Sequence, residues 1–375
     1  MSSKPSLSFY TNIPTPYQQS FFKELSKLFH LTVVFYSISE NNRSWQFTMQ
    51  EDYEVVVLKN NFIANTVQRK VVDFHFSWNI FKTVWKDNSQ YIIVGGSYWI
   101  PNGAAALLIQ RLKGKKIAYF SEPLFVTTNK LKYSVKWSML RILNSCCDAL
   151  FCIGKKAADS FVKYGVTVPT YIIPYNINEQ QFVHLDKIKM ETFKQKYNPD
   201  DKLVILSSGA LVQRKGMDVL IQAIKQIPLD NITLIIIGDG PERDALERLA
   251  AGDQRIVFAG FQAANDIPYF FGLADMFAIA SRYDGWAVVI NEAIAAGVPI
   301  ISSNAVGASI ELIQHKQNGW LCANESIEDF KEAIYTLATQ PHQRLQLQEE
   351  AKKLIPLISS SYNAQYVYQL FTETI

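Results

Sequence analysis

The chain has 375 residues, 48% of them hydrophobic and 19% charged, which excludes a disordered polymer and fits two globular domains with separate cores. No apolar run reaches membrane-spanning length, which excludes a helical channel or carrier. The net charge of +3 hides an asymmetry: residues 1–170 hold 20 Lys and Arg against 10 Asp and Glu, and residues 171–375 hold 17 against 24. A basic half beside an acidic half predicts that the first half meets something anionic.

The N-terminal stretch MSSKPSLSFYTNIP has no long apolar core of the kind a secretory leader carries, so a cytoplasmic protein is expected. Strand-like apolar runs then follow at 7–10, 31–36, 91–94, 117–120 and 149–153, and again at 203–207, 233–237, 256–258, 276–279 and 299–302. Most are continuous rather than alternating, as in strands buried on both faces of a parallel sheet. Helical patterns separate them, for instance at 217–227 and 242–249. The predicted fold class is α/β, two successive sets of βαβ units. A strand-like run at 170–173 ends in Pro174, and a polar segment extends to Pro199. The first domain is therefore assigned to 1–175 and the second to 176–359. The segment 362–375 has an amphipathic helical pattern. Cys146, Cys147, Cys152 and Cys322 lack ligand spacing and are expected to be buried free thiols. The five histidines pair with no Cys or carboxylate at metal spacing, so no metal site is expected.

Three loops of the first half fall at predicted strand carboxyl ends: Pro14-Thr15-Pro16-Tyr17, Gly95-Gly96 and Ser121-Glu122-Pro123. Glu122 is the one ionisable group among them and a candidate to orient or deprotonate an acceptor hydroxyl. A plain exposed loop glutamate is the alternative. The segment 130–141, KLKYSVKWSMLR, is basic with interleaved aromatics, and Arg111, Lys113, Lys115 and Lys116 add to its charge. It suits an anionic lipid surface, at about 1 kcal/mol per basic residue, or a solvated helix with a core stripe. No recognition motif for nucleic acid accompanies it.

In the second half, GALVQRKG places Arg214 and Lys215 after the apolar run ending at Leu206. Ligands of open α/β sheets bind at such strand ends. A guanidinium fork and an ammonium can neutralise a pyrophosphate and stabilise charge growing on a departing nucleotide. A solvated basic loop is the alternative. Gly238-Asp239-Gly240-Pro241-Glu242 follows the next run but has Arg243 where a dinucleotide fingerprint needs glycine. It reads as a tight turn, with proline opening a helix, beside a nucleotide rather than as an NAD site. The segment SRYDGWAVVINEAIAAGVP begins with a turn at Asp284-Gly285 and continues as an apolar helix stopped by Gly297 and Pro299. Asp284 is assigned as the cap of a helix starting near Trp286. The N–H groups of Gly285, Trp286 and Ala287 then favour an anion. Glu292 is a lone carboxylate on that helix and needs a partner, either ribose hydroxyls or a structural arginine.

Together, GALVQRKGMDVLIQAI, IIIGDGPE, VFAGFQ followed by LADMFAIAS, and SRYDGWAVVINEAIAAGVPII stand in the order and spacing of family-4 glycosyltransferases. The chain resembles that family strongly over 200–320, and NIPTPYQQSFFKEL is similar to the opening of many members. The resemblance implies the GT-B fold: two Rossmann-like parallel-sheet domains facing a cleft, acceptor on the first and nucleotide sugar on the second, with a final helix at 360–375 crossing back. It implies that Arg214 and Lys215 grip the donor diphosphate. Asp284 and Glu292 match the ends of an E-x7-E motif, Asp284 on the transferred sugar and Glu292 on the ribose. The N–H groups of Ala287 and Val288 lie near the phosphates, and Phe261, after Gly260, marks the base-binding backbone. Gly209, Gly240 and Gly285 complete the donor set. The chain departs from the pattern with Asp284 for Glu, Gly209-Ala210 for Gly-Arg, and no histidine near Phe120-Ser121-Glu122.

The implied reaction moves a hexose from a UDP- or GDP-sugar with retention of configuration, needs no metal or cofactor, and lets the donor phosphate assist acceptor deprotonation. The implied acceptor is a sugar or lipid-linked sugar of a surface polysaccharide or glycolipid. The basic first domain would rest on the inner face of the membrane. A sugar-nucleotide epimerase of the same fold, a non-catalytic nucleotide-sugar-binding subunit and, remotely, an NAD oxidoreductase stay open.

Overall fold

The computed structural model describes residues 4–39, 52–71, 73–124 and 127–375; residues 1–3 of the N-terminal stretch lie outside it. The chain forms two compact units, one of residues up to Ile177 together with Ser360–Ile375, the other of Asn178–Ser359.

The first unit holds β1 Ser6–Thr11, β2 His30–Phe35, β3 Glu54–Val57, β4 Tyr91–Gly95, β5 Lys116–Ser121, β6 Ala149–Cys152 and β7 Thr170–Ile172. They make one parallel sheet in the order β3-β2-β1-β4-β5-β6-β7. Leu7 pairs with Leu31 on one side and Tyr91 on the other, so the strand order reverses beside β1. The continuous apolar runs have the physical cause expected of them: Phe9, Ile92, Ile93, Val94 and Ala118 are all buried, because helices cover both faces. The terminal helix Ser360–Gln369 packs on helix Pro16–Leu28, with Ser20 Oγ and Ser360 Oγ 2.8 Å apart. Beyond it the Phe371 ring stacks on Tyr91 at 4.9 Å.

The second unit holds β8 Leu203–Ser208, β9 Ile232–Ile237, β10 Ile256–Gly260, β11 Met276–Ile279, β12 Ile300–Ser303 and β13 Trp320–Cys322. Its parallel order is β10-β9-β8-β11-β12-β13, so β8 and β11 flank the reversal. Its core joins β8, β9 and β11 to helix Met217–Lys225 and helix Ile327–Thr339 through Ile205, Leu220, Leu234, Met276, Phe330 and Leu337.

The ten strand-like runs all become strands, with starts or ends that differ by a residue or two. β3 and β13 were not expected. Both are edge strands of three or four residues. All four cysteines are buried free thiols; burial pushes the Cys152 thiol up to about 12.

Candidate active site

The second unit gathers its charged loops where β8 and β11 end, at the reversal of strand order where open α/β sheets bind ligands. After β8 the chain makes a 3₁₀ turn at Gln213–Lys215 and enters helix Met217–Lys225 through Gly216. Gly216 has φ +65°, and a Cβ there would come 2.1 Å from the carbonyl oxygen of Ala280, just past β11. Only glycine lets the two loops meet this closely. Arg282 N donates to Arg214 O at 2.8 Å, which joins the loops again.

Lys215 Nζ lies 2.7 Å from Asp284 Oδ2, and Arg214 Nη1 lies 3.2 Å from the same oxygen. Arg214 Nη1 also donates to Tyr283 O at 2.7 Å. Burial works to raise the Asp284 pKa, but Lys215 and then Arg214 outweigh it and hold the carboxyl below its ordinary value. Arg282 supports this cluster from behind. It forks onto Asp218 at 2.8 and 2.9 Å, donates to Gln213 O at 2.6 Å, and meets Glu325 Oε1 at 2.5 Å. The Arg282 hydrogen bond holds Asp218 below the usual carboxylate range.

Asp284 is not a helix cap. Its Oδ1 accepts from Trp286 N at 3.3 Å, and helix Val288–Ala296 starts later, capped by Ala287 at φ 70°, ψ 84°. The reason is packing: Gly307 N donates to Asp284 O at 3.0 Å and Ala308 N to Trp286 O at 2.9 Å, so residues 284–286 run extended beside the β12 loop. In the first turn Ile290 N donates to Ala287 O at 3.0 Å, while the N–H groups of Val288 and Val289 precede the first intrahelical bond. Glu292 retains some exposed surface, and burial pushes its pKa up to about 7. Among the described residues no side chain is recorded donating to it. The structural arginine weighed as its partner is therefore not found there.

The turn after β9 lies directly against the β8 loop. A Cβ on Gly240 would meet the backbone of Leu211 at 2.5 Å, and Leu211 N donates to Asp239 O at 3.0 Å. Gly209 N donates to Ile237 O at 3.0 Å, and the Lys215 side chain passes over Gly209. Pro241 lies in the turn rather than in the helix, which begins at Arg243. Arg243 is held by Glu247 at 2.8 Å and Asp239 at 3.6 Å. Phe261 follows the end of β10 and is 77% exposed.

Glu122 belongs to the first unit. It lines a cavity of about 460 Å³ at the carboxyl ends of β1, β4 and β5 and accepts a hydrogen bond from Tyr175 Oη at 2.5 Å. Burial first, and then Glu122, keep the Tyr175 phenol protonated well beyond its usual range. Glu122 is not the sole ionisable group there: Asp73, which accepts from Ser97 Oγ at 2.5 Å, and Lys136 also line the cavity. On helix Lys130–Cys146, Lys136 falls on the inward stripe with Leu140 and Leu143. It is buried, its ammonium lies 5.2 and 4.9 Å from the ring centres of Tyr98 and Tyr164, and burial lowers its pKa. Asp218, Arg282, Glu325, Asp73 and Lys136 were not singled out as site residues from sequence. Arg282 alone carried a visible signal, as a cation in the loop after an apolar strand.

Residues 189–354 match the family described as glycosyl transferases group 1. A GDP-mannose-dependent alpha-(1-6)-phosphatidylinositol monomannoside mannosyltransferase of Mycobacterium tuberculosis is 28% identical over 255 residues, covering 63% of this chain and 65% of the relative. The lipopolysaccharide core biosynthesis glycosyltransferase LpsE of Rhizobium meliloti is 31% identical over 176 residues, 46% of this chain and 48% of that one. The chain thus spans less than two thirds of the length of either curated relative. Among solved structures, HepE of Anabaena in complex with UDP aligns with a TM-score of 0.76 at 16% identity, covering 98% and 99% of the two chains. A glycosyltransferase from Rickettsia africae aligns with a TM-score of 0.77 at 15% identity, covering 99% and 100%. The chain therefore has the GT-B fold, and its residues 189–354 carry the sequence pattern of the group 1 glycosyl transferases.

Proposed function

We propose that the protein is a retaining, family-4 type glycosyltransferase that moves a hexose from a UDP- or GDP-sugar to a sugar or lipid-linked acceptor of a surface polysaccharide or glycolipid. The observation that carries this reading is the cluster of Arg214, Lys215 and Asp284 at the ends of β8 and β11, beside the start of the helix that carries Glu292. The mycobacterial relative is named as GDP-mannose-dependent and the Anabaena structure holds UDP, which supports a nucleotide-diphosphate sugar as donor.

In this reading the second unit is the donor domain. Lys215 and Arg214 neutralise the diphosphate and stabilise the departing nucleotide. The N–H groups of Ala287 and Val288 add a partial positive charge. Asp284 contacts the transferred sugar, Glu292 accepts from ribose hydroxyls, and the backbone near Gly209, Gly240, Gly285 and Phe261 frames the nucleotide. The first unit takes the acceptor, with Glu122 orienting its hydroxyl, and the donor phosphate accepts the proton. No metal or cofactor takes part. A peripheral place on the inner membrane face fits the excess of 20 Lys and Arg over 10 Asp and Glu in residues 1–170, and no helix of the described residues is long and apolar enough to cross a membrane.

The test is a thermal-shift screen with UDP, GDP, ADP, CMP, their sugar conjugates and NAD. A ligand at a hundred times its dissociation constant adds ~2.7 kcal/mol. A shift with UDP or GDP that disappears in Lys215→Ala is expected. A shift with NAD alone, or none, overturns the proposal.

A further inference from the structure

One outer face of the first unit is rich in exposed aromatics. Helix Asn79–Lys86 buries Ile80 and Val84 and packs against helix Pro101–Leu112. Its opposite side carries Trp78, Phe81 and Trp85, which are 64%, 45% and 69% exposed. They recur at i, i+3 and i+7 and so form one stripe about 10 Å long. The rings are mutually supported: Phe76 packs edge-on against Trp78 at 4.7 Å, and Phe81 lies 6.5 Å from Trp78. On the neighbouring helix Leu108 and the 85% exposed Leu112, one turn apart, add further apolar surface. Apolar surface gathered in this way marks an interaction site.

Charge identifies the occupant. Lys82 and Lys86 flank the stripe, both are exposed, and neither has an ion pair recorded among the described residues. Lys113 and Lys115 are used differently, since Lys113 Nζ donates to Trp85 O at 2.8 Å and Lys115 Nζ to Asn88 O at 2.9 Å, closing the helix end. Residues 59–116 hold nine Lys and Arg but two acids, Asp73 and Asp87. Both acids are engaged, Asp73 with Ser97 and Asp87 with Tyr10 and Gln110. Aromatic rings edged by free ammonium groups match an anionic bilayer interface, rings at headgroup level and lysines at the phosphates. A second copy of the chain fits less well, because a twofold contact of this face with itself would oppose the lysines of both copies.

We propose that Trp78, Phe81 and Trp85, flanked by Lys82 and Lys86, dock the first unit on an anionic lipid surface. Helix Lys130–Cys146 also exposes Leu131, Val135 and Trp137, but its Lys136 is turned inward, and the continuous aromatic stripe lies on helix Asn79–Lys86. The inference deepens the peripheral location proposed above. Its test reads binding and not turnover, so failure of the transferase reading leaves it intact, and its own failure leaves that reading intact.

The full chain is sedimented with phosphatidylcholine vesicles with and without phosphatidylglycerol, as wild type, as Trp78→Ser/Trp85→Ser and as Lys82→Glu/Lys86→Glu. Wild type should partition onto the anionic vesicles. The tryptophan pair should lose at least ~10-fold in partitioning, and the lysine pair, whose charges are reversed, more than ~5-fold per residue, in a salt-dependent way. Circular dichroism and the thermal midpoint should not change, since these side chains are exposed. Equal partitioning of all three proteins overturns the proposal, as does no binding to anionic vesicles. A concentration-dependent dimer abolished by the tryptophan pair overturns it in favour of a second copy.

Discussion

Lys215 Nζ and Asp284 Oδ2 stand 2.7 Å apart with 14% and 13% of their side chains exposed, a charge pair between the loops that end β8 and β11. The cation proposed for the donor diphosphate is thus paired with the carboxylate proposed for the transferred sugar. A diphosphate entering this site exchanges one anionic partner of Lys215 for another. That limits the desolvation cost of binding, because the ammonium is already withdrawn from water.

In the proposed reading, replacing Lys215 with Ala removes a charge that stabilises the departing nucleotide. Turnover is expected to fall roughly 100-fold, about 3 kcal/mol of barrier. Stability should change little, because Arg214 still pairs with Asp284. Initial rates with the donor found by thermal shift, set beside the melting midpoint, decide this. Unchanged turnover in a folded variant removes Lys215 from the chemistry.

Asp284→Asn is expected to separate binding from turnover. Losing the carboxylate frees Lys215 and Arg214 for phosphate, so free UDP or GDP should bind up to about 5-fold tighter, the worth of ~1 kcal/mol of pairing. Sugar transfer should nevertheless drop, because the group proposed to touch the sugar has lost its charge. Calorimetry with the nucleotide and a separate rate assay provide the two readings. Weaker nucleotide binding would show that Asp284 mainly orders the two cations.

Arg282→Ala should loosen the site without removing a group that touches the donor. It leaves Asp218 and Glu325 without their shared cation and Gln213 O without a donor. Since the carboxylates are partly exposed, about 1–2 kcal/mol of stability should be lost. Nucleotide affinity should fall with it as the Gln213–Lys215 turn relaxes. Arg282→Lys should recover little, because an ammonium cannot fork onto Asp218. A guanidinium denaturation curve and a nucleotide titration on both variants check this.

The strands and the charged loops were legible because their causes are local. An apolar run such as 203–207 is a strand buried on both faces, and Arg214 and Lys215 follow it within one turn. What escaped depends on distant packing. Arg282 reaches Asp218 across 64 positions. Ala287 takes a positive φ as the chain beside it pairs with residues 306–308, which moves the helix start from Trp286 to Val288. Lys136 sits in a segment with a basic composition, and only the position of Tyr98 and Tyr164 turns it inward.

Glu292 supplies the pH dependence. Burial raises its pKa from 4.5 to about 7, so the folded chain holds this proton where the unfolded chain has lost it. The stabilisation from that proton is complete below about pH 4.5 and is lost as pH rises through 7. Glu292→Gln cannot ionise, and relative to wild type it should gain stability across that window, reaching ~3 kcal/mol above about pH 7. In the proposed reading ribose hydroxyls donate to the ionised carboxylate, so nucleotide binding to wild type should strengthen as pH rises toward about 7, with proton release below it. Melting midpoints of both proteins across this range, and binding heats in buffers of different ionisation enthalpy, test the two halves. Parallel midpoint curves would mean that Glu292 stays ionised in the folded chain and overturn the pH dependence argued from its burial.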